Sequence, residues 1–133
     1  MISWKWLKTH HQKRNNYYRR KYQRWRLKLF EINGEQWRIV AIVPDSPELQ
    51  RSDGTYTVGV CDDSIRTIYI ASGLSMVFLK KVLCHEIVHA AMFSYNVDLT
   101  LEQEELVADL IATYGEEIID ITNQMFKKIK GDT

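Results

Sequence analysis

His85-Glu86-Ile87-Val88-His89 is the segment of this chain whose residue types and spacing are best suited to chemistry. On a helix of about 3.6 residues per turn, side chains four apart leave one face, a turn apart. Two imidazoles so placed can each offer a nitrogen to one zinc ion at about 2.0–2.1 Å. Glu86 lies about 100° further round the helix. That is too far for a comfortable third ligand, but within reach of a water held at the metal. The pattern predicts one zinc ion per chain, with His85 and His89 as ligands and Glu86 as general base for attack of water on a peptide carbonyl.

A catalytic zinc needs a third protein ligand and an open position. Leu101-Glu-Gln-Glu-Glu-Leu-Val-Ala-Asp109 supplies Glu102, Glu104, Glu105 and Asp109. Glu105 and Asp109 are again four apart and share a helix face. Small Ala108 and Ala112 beside them would let this helix approach the first. Glu105 is expected as third ligand, with Glu104 and then Glu102 as competitors. Asp109 is expected to accept a hydrogen bond from the far ring nitrogen of a bound histidine, fixing its tautomer. Tyr95, Tyr114, His10 and His11 are all conceivable stabilisers of a developing oxyanion, and nothing in the spacing selects among them.

The elements that must position these residues can be read from period and punctuation. Trp25–Ile32 and Glu35–Val43 flank Asn33-Gly34, a pair that tolerates the positive φ of a tight hairpin turn. The alternation slips near Leu29-Phe30, which suggests a bulge. Pro44 and Pro47 stop the second strand. Tyr56–Cys61 and Ile65–Ile70 read as two further strands. A helix is expected from about Leu74 to Tyr95, on the three- and four-residue recurrence of Phe78, Val82, Ile87 and Ala91. Thr100 and Gln103 form a capping-box pattern that starts a second long helix. That helix is expected to run towards Lys130, with a break at Gly115 and with Gly131 beyond its end. The fold class is therefore α+β: a small antiparallel or mixed sheet of about four strands, then two helices.

The 133 residues are 45% hydrophobic, sufficient for one core. No run approaches the roughly 20 apolar residues of a membrane helix, and no apolar leader follows the first charges. Two cysteines, Cys61 and Cys84, are too few for a disulfide framework and stand outside any CxxC pair. A cytoplasmic protein with reduced thiols is expected. Charge is uneven: residues 1–30 hold ten Lys or Arg and no Asp or Glu, while the remainder holds eight basic and seventeen acidic residues. The chain divides into a basic, aromatic-rich arm, residues 1–24, and a domain, residues 25–133. In the arm, a short helix is expected over Tyr17–Arg24. Arg14, Arg19, Arg20, Lys21 and Arg24, interleaved with Tyr17, Tyr18, Tyr22 and Trp25, suit phosphate contacts and base stacking. A solvated arm, or one folded over the acidic body, fits the same charge pattern.

HExxH at 85–89 followed by ExxxD at 105–109 resembles the gluzincin pattern of the zincin metallopeptidases. The short chain and the strand running into HExxH are similar to the ImmA/IrrE-like family of phage and bacteria, whose members act on repressors. The likeness covers about residues 65–112. It implies a zincin-like fold and a zinc peptidase acting on an intracellular protein, in a host cytoplasm if phage-encoded. It also implies a strand that binds extended substrate by edge pairing, for which Ile65–Ala71 is the candidate. Two other readings remain: a nucleic-acid-binding module on an inactive zincin scaffold, and a peptidase recruited by DNA, resembling the SprT-like proteases.

Overall fold

A computed structural model of the chain describes residues 27–131. The expected helix over 17–24, the start of the first strand at Trp25, and Arg14, Arg19, Arg20, Lys21, Arg24, His10 and His11 lie outside the described residues.

The architecture is α+β, a four-stranded mixed sheet followed by two helices. The strands are β1 (Leu27–Ile32), β2 (Glu35–Ile42), β3 (Gly59–Asp62) and β4 (Thr67–Ala71), in spatial order β1-β2-β4-β3. Asn33 and Gly34 both take positive φ, 50° and 74°, and turn β1 into β2 with Ile32 opposite Glu35. The register runs unbroken from there to Leu27 opposite Val40, so the expected bulge at Leu29-Phe30 is absent. The slipped alternation arises because Leu27 and Leu29 face outward and stay exposed while Phe30 and Ile32 join the core. β2 pairs parallel with β4, and β3 closes the far side antiparallel to β4.

This order corrects the expectation for Ile65–Ala71. β4 has a neighbour on each side, so its backbone groups are already engaged. Among the described residues β3 pairs with β4 alone and is the open edge at that end of the sheet.

Helix α1 (Met76–Ser94) crosses one face of the sheet. Ser75 caps it, its hydroxyl accepting from the Phe78 amide at 3.4 Å. Val82, Glu86 and Ala90, at four-residue steps, form its buried stripe. Val82 and Ala90 join Trp37, Ile68 and Ile70 in the core. The end of α1 is fastened to the hairpin: Trp37 Nε1 donates to the buried Ser94 Oγ at 2.9 Å, and Asn33 Nδ2 donates to the Ser94 carbonyl at 3.0 Å.

Helix α2 (Leu101–Gly131) begins at the anticipated capping box. The Gln103 amide donates to Thr100 Oγ1 at 3.2 Å, and the Thr100 amide donates to Gln103 Oε1 at 3.0 Å. It runs without interruption through Gly115 and includes Gly131, so neither the expected break nor the earlier end occurs. Glycine lowers helix propensity by only about 1 kcal/mol relative to alanine, which 31 residues of continuous hydrogen bonding absorb. α2 packs antiparallel on α1, with Ala108 fully buried between them. No helix among the described residues is long and apolar enough to cross a membrane.

Candidate metal centre

The α1–α2 pairing brings His85, His89 and Glu105 to one point. His85 Nε2 and His89 Nε2 are 3.1 Å apart. The Glu105 carboxylate spans both, with Oε2 at 3.1 Å from His85 Nε2 and Oε1 at 3.0 Å from His89 Nε2. Four ligands at about 2.0–2.1 Å in a tetrahedron stand about 3.3 Å from one another. The two nitrogens are thus spaced nearly as one tetrahedral zinc requires, with a different carboxylate oxygen close to each, and one ligand atom from each of the three residues lies within 4.8 Å of the others.

The opposite ring nitrogens are also engaged. His85 Nδ1 meets Asp109 Oδ1 at 2.9 Å. His89 Nδ1 meets Glu104 Oε1 at 2.6 Å. Donation of Nδ1–H to these carboxylates leaves both Nε2 lone pairs directed at the shared point. Glu104, weighed at first as a competing ligand, therefore stands behind His89, on the side away from that point. Glu102 is exposed and stands outside the cleft.

Glu86 belongs to the buried stripe of α1 and lies against Gly59 of β3, in the same cleft as His85, His89 and Glu105. Burial pushes its carboxyl above the ordinary value; His85 and His89 act against that, and Glu105 adds to it. A carboxylate moved towards neutral is a better proton acceptor at physiological pH. Its position depends on a residue that sequence reasoning passed over. A Cβ on Gly59 of β3 would lie 2.8 Å from Val82 Cγ1 and 3.1 Å from Glu86 Cγ and Oε1. The absence of a side chain there lets the strand lie against the glutamate. An isolated glycine inside a strand pattern was the available signal.

These groups line a cleft of about 1030 Å³ between β3, α1 and the start of α2. Its lining includes Glu86, His85, His89, Glu104, Glu105 and Asp109, together with the apolar Phe93, Val97 and Leu101. Cys61 also borders it. Burial, reinforced by the charges of Glu86, Asp63, Glu104 and Asp62, pushes this thiol up to about 12, so it stays protonated. Tyr95 and Tyr114 are exposed and outside the cleft lining.

The donor set fits a divalent cation. Two neutral imidazoles and a carboxylate are borderline ligands suited to zinc. Glu86 is buried and Glu104 partly so, and carboxylates so placed gain from positive charge nearby. The arrangement can hold a metal, orient its histidines and present a buried base beside it.

The chain matches no protein-family model, no curated protein and no solved structure. The functional reading therefore rests on the geometry of the site.

Proposed function

We propose that this chain is a zinc-dependent metallopeptidase with a zincin-like catalytic domain, in which His85, His89 and Glu105 hold the metal and Glu86 is the general base. The observation that carries it is the convergence of two Nε2 atoms and one carboxylate within 3.1 Å, each imidazole backed at Nδ1 by a carboxylate. Bound zinc would supply Lewis acidity, polarising a carbonyl and lowering the pKa of water from 15.7 towards about 7. Glu86 accepts a proton from the attacking water and returns it to the amine that leaves. Asp109 and Glu104 hold the imidazoles in one tautomer and orientation. β3, the open sheet edge next to Glu86, can bind an extended peptide through backbone hydrogen bonds. An intracellular protein target, as in phage or mobile-element regulation, is the substrate this reading favours.

The test is elemental analysis of protein purified without a metal-affinity tag, followed by hydrolysis of a fluorogenic peptide library. Wild type should carry one zinc per chain and cleave. His89→Ala should lose the metal. Glu86→Gln should keep the metal and lose turnover; full activity in that variant would refute the mechanism.

A second reading has one observation in its favour. Residues 1–26 carry nine Lys or Arg and no acidic residue. Through Arg14, Arg19, Arg20, Lys21 and Arg24 they would bring the peptidase, or an inactive scaffold, to nucleic acid. Binding to DNA or RNA that weakens steeply with added salt supports it, and binding insensitive to salt sinks it.

A further inference from the structure

Given the peptidase reading above, we propose that Lys81 and Arg51 form a carboxylate-binding subsite at one end of the cleft. The peptide cut there then carries an acidic side chain, or its own C-terminal carboxylate, about two to three residues from the cleaved bond.

Both cations enter the cleft beside the start of β3. Val58, just before β3, accepts from the Ala71 amide at 2.9 Å at the end of β4, and α1 begins at Met76. The start of β3 therefore lies beside the first half of α1, and the approach of Gly59 to Val82 fixes the level. Lys81 precedes Val82 and stands one helical turn before His85, on the same face. Arg51 belongs to the turn that leads into Thr57. Its amide donates to the Thr55 carbonyl at 2.7 Å, and the Thr57 amide donates to the Leu49 carbonyl at 2.9 Å. Lys81, Arg51, Thr57 and Val58 all line the cleft. Four helical residues rise about 6 Å, and an extended chain advances about 3.3 Å per residue. Lys81 is thus level with a substrate residue about two from the metal, and its long side chain reaches about one further.

Among the described residues, neither Lys81 nor Arg51 is in an ion pair. Neighbouring Lys80, about 100° round α1, meets Glu116 at 2.8 Å instead. Asp53, close to Arg51 in sequence, accepts from the Thr55 amide and hydroxyl at 2.9 and 2.6 Å. The acids of the cleft are engaged or lie elsewhere. Glu104, Glu105 and Asp109 each lie within 3.1 Å of an imidazole nitrogen, Glu86 is buried, and Asp63 follows the far end of β3. An incoming carboxylate meets uncommitted ammonium and guanidinium donors at one end of the cleft only, and these are its natural partners.

The test is a positional scan with zinc-loaded wild type. Quenched fluorescent peptides of one neutral core, ends blocked, carry Gln or Glu at each position on either side of the cleaved bond. Glu should be favoured over Gln by about fivefold or more in kcat/KM, two or three residues from the bond and on one side only. The preference should shrink as salt is added. A second set, truncated at each position as free acid or amide, separates a terminal carboxylate from a side chain. The double variant Lys81→Glu, Arg51→Glu should favour Lys over Glu at that position, an inversion that damage to the fold would not produce. Binding of the same peptides to zinc-loaded Glu86→Gln protein, followed by fluorescence anisotropy, reads the subsite without turnover. The same order of Glu over Gln there, with no cleavage by wild type, would support the subsite and refute the peptidase reading alone. Equal treatment of acidic and neutral peptides at every position, or a preference that survives charge reversal, would overturn the subsite.

Discussion

Removing the carboxylates behind the two histidines should weaken zinc binding unequally, in an order set by their burial. Glu104 approaches His89 Nδ1 at 2.6 Å and is 26% exposed; Asp109 approaches His85 Nδ1 at 2.9 Å and is 69% exposed. Partners of this kind are worth about 10- to 100-fold in metal affinity. For Glu104, short and shielded, the expected loss on Glu104→Ala is near 100-fold, or about 2.7 kcal/mol at 1.4 kcal/mol per decade. Water screens Asp109, so Asp109→Ala should lose about tenfold or less. Glu105→Ala removes a donor atom from the metal point itself and should exceed both. The assay is competition for zinc against a chromogenic chelator at fixed pH and salt, with circular dichroism to check folding. If Asp109→Ala loses as much as Glu104→Ala, the burial argument is wrong. If Glu104→Ala loses more than Glu105→Ala, the third ligand is Glu104.

Gly59→Ala should destabilise the fold by about 1–3 kcal/mol through overpacking against Val82, seen as a lower melting temperature. It should also cut peptide hydrolysis by up to about 100-fold through displacement of Glu86, with zinc affinity unchanged; unaltered turnover would show that the glutamate tolerates the shift. Ser94→Ala strands the buried Trp37 indole N–H and should cost about 1–3 kcal/mol in a denaturant titration. A Ser94→Ala midpoint equal to wild type would mean the indole finds another acceptor. Cys61, with its pKa raised to about 12, should be alkylated at pH 8 roughly a thousandfold more slowly than an ordinary cysteine, and faster only as pH climbs towards 12. Rapid labelling of Cys61 near neutral pH would contradict its described surroundings.

Much of the candidate site's arrangement was legible because it is local. The i, i+4 spacing of His85 and His89, the Thr100–Gln103 capping box and the Asn33-Gly34 turn each depend on residues within one turn of helix or one hairpin. Small Ala108 at the helix contact was legible for the same reason. What escaped depends on distant pairing. Alternation tells which face a strand residue takes, and nothing about which strand lies beside it. Ile65–Ala71 was therefore expected at an edge, although β4 lies between β2 and β3. Gly59 became meaningful only once β3 lay against Val82 and Glu86. The positions of Glu104 and Glu105 about His89, adjacent on one helix, separate only when the packing of the two helices is known.

The ligand cluster and its supporting carboxylates all come from residues 85–109, two helices joined by a short loop. Such a hairpin has low contact order: closing it costs little chain entropy and need not await the sheet. The parallel pairing of residues 38–42 with 67–71 is slower to form, because a longer excursion must be closed first. Glu86 belongs to that slower part, since its place is set by contact with Gly59 across the sheet edge. On the proposed function, metal capture and proton transfer would thus have separate folding requirements. A nascent or partly unfolded chain with its helical hairpin formed would take up zinc while Glu86 is still out of line. Acquiring the metal would then not by itself switch on hydrolysis, which would wait for β3 to dock.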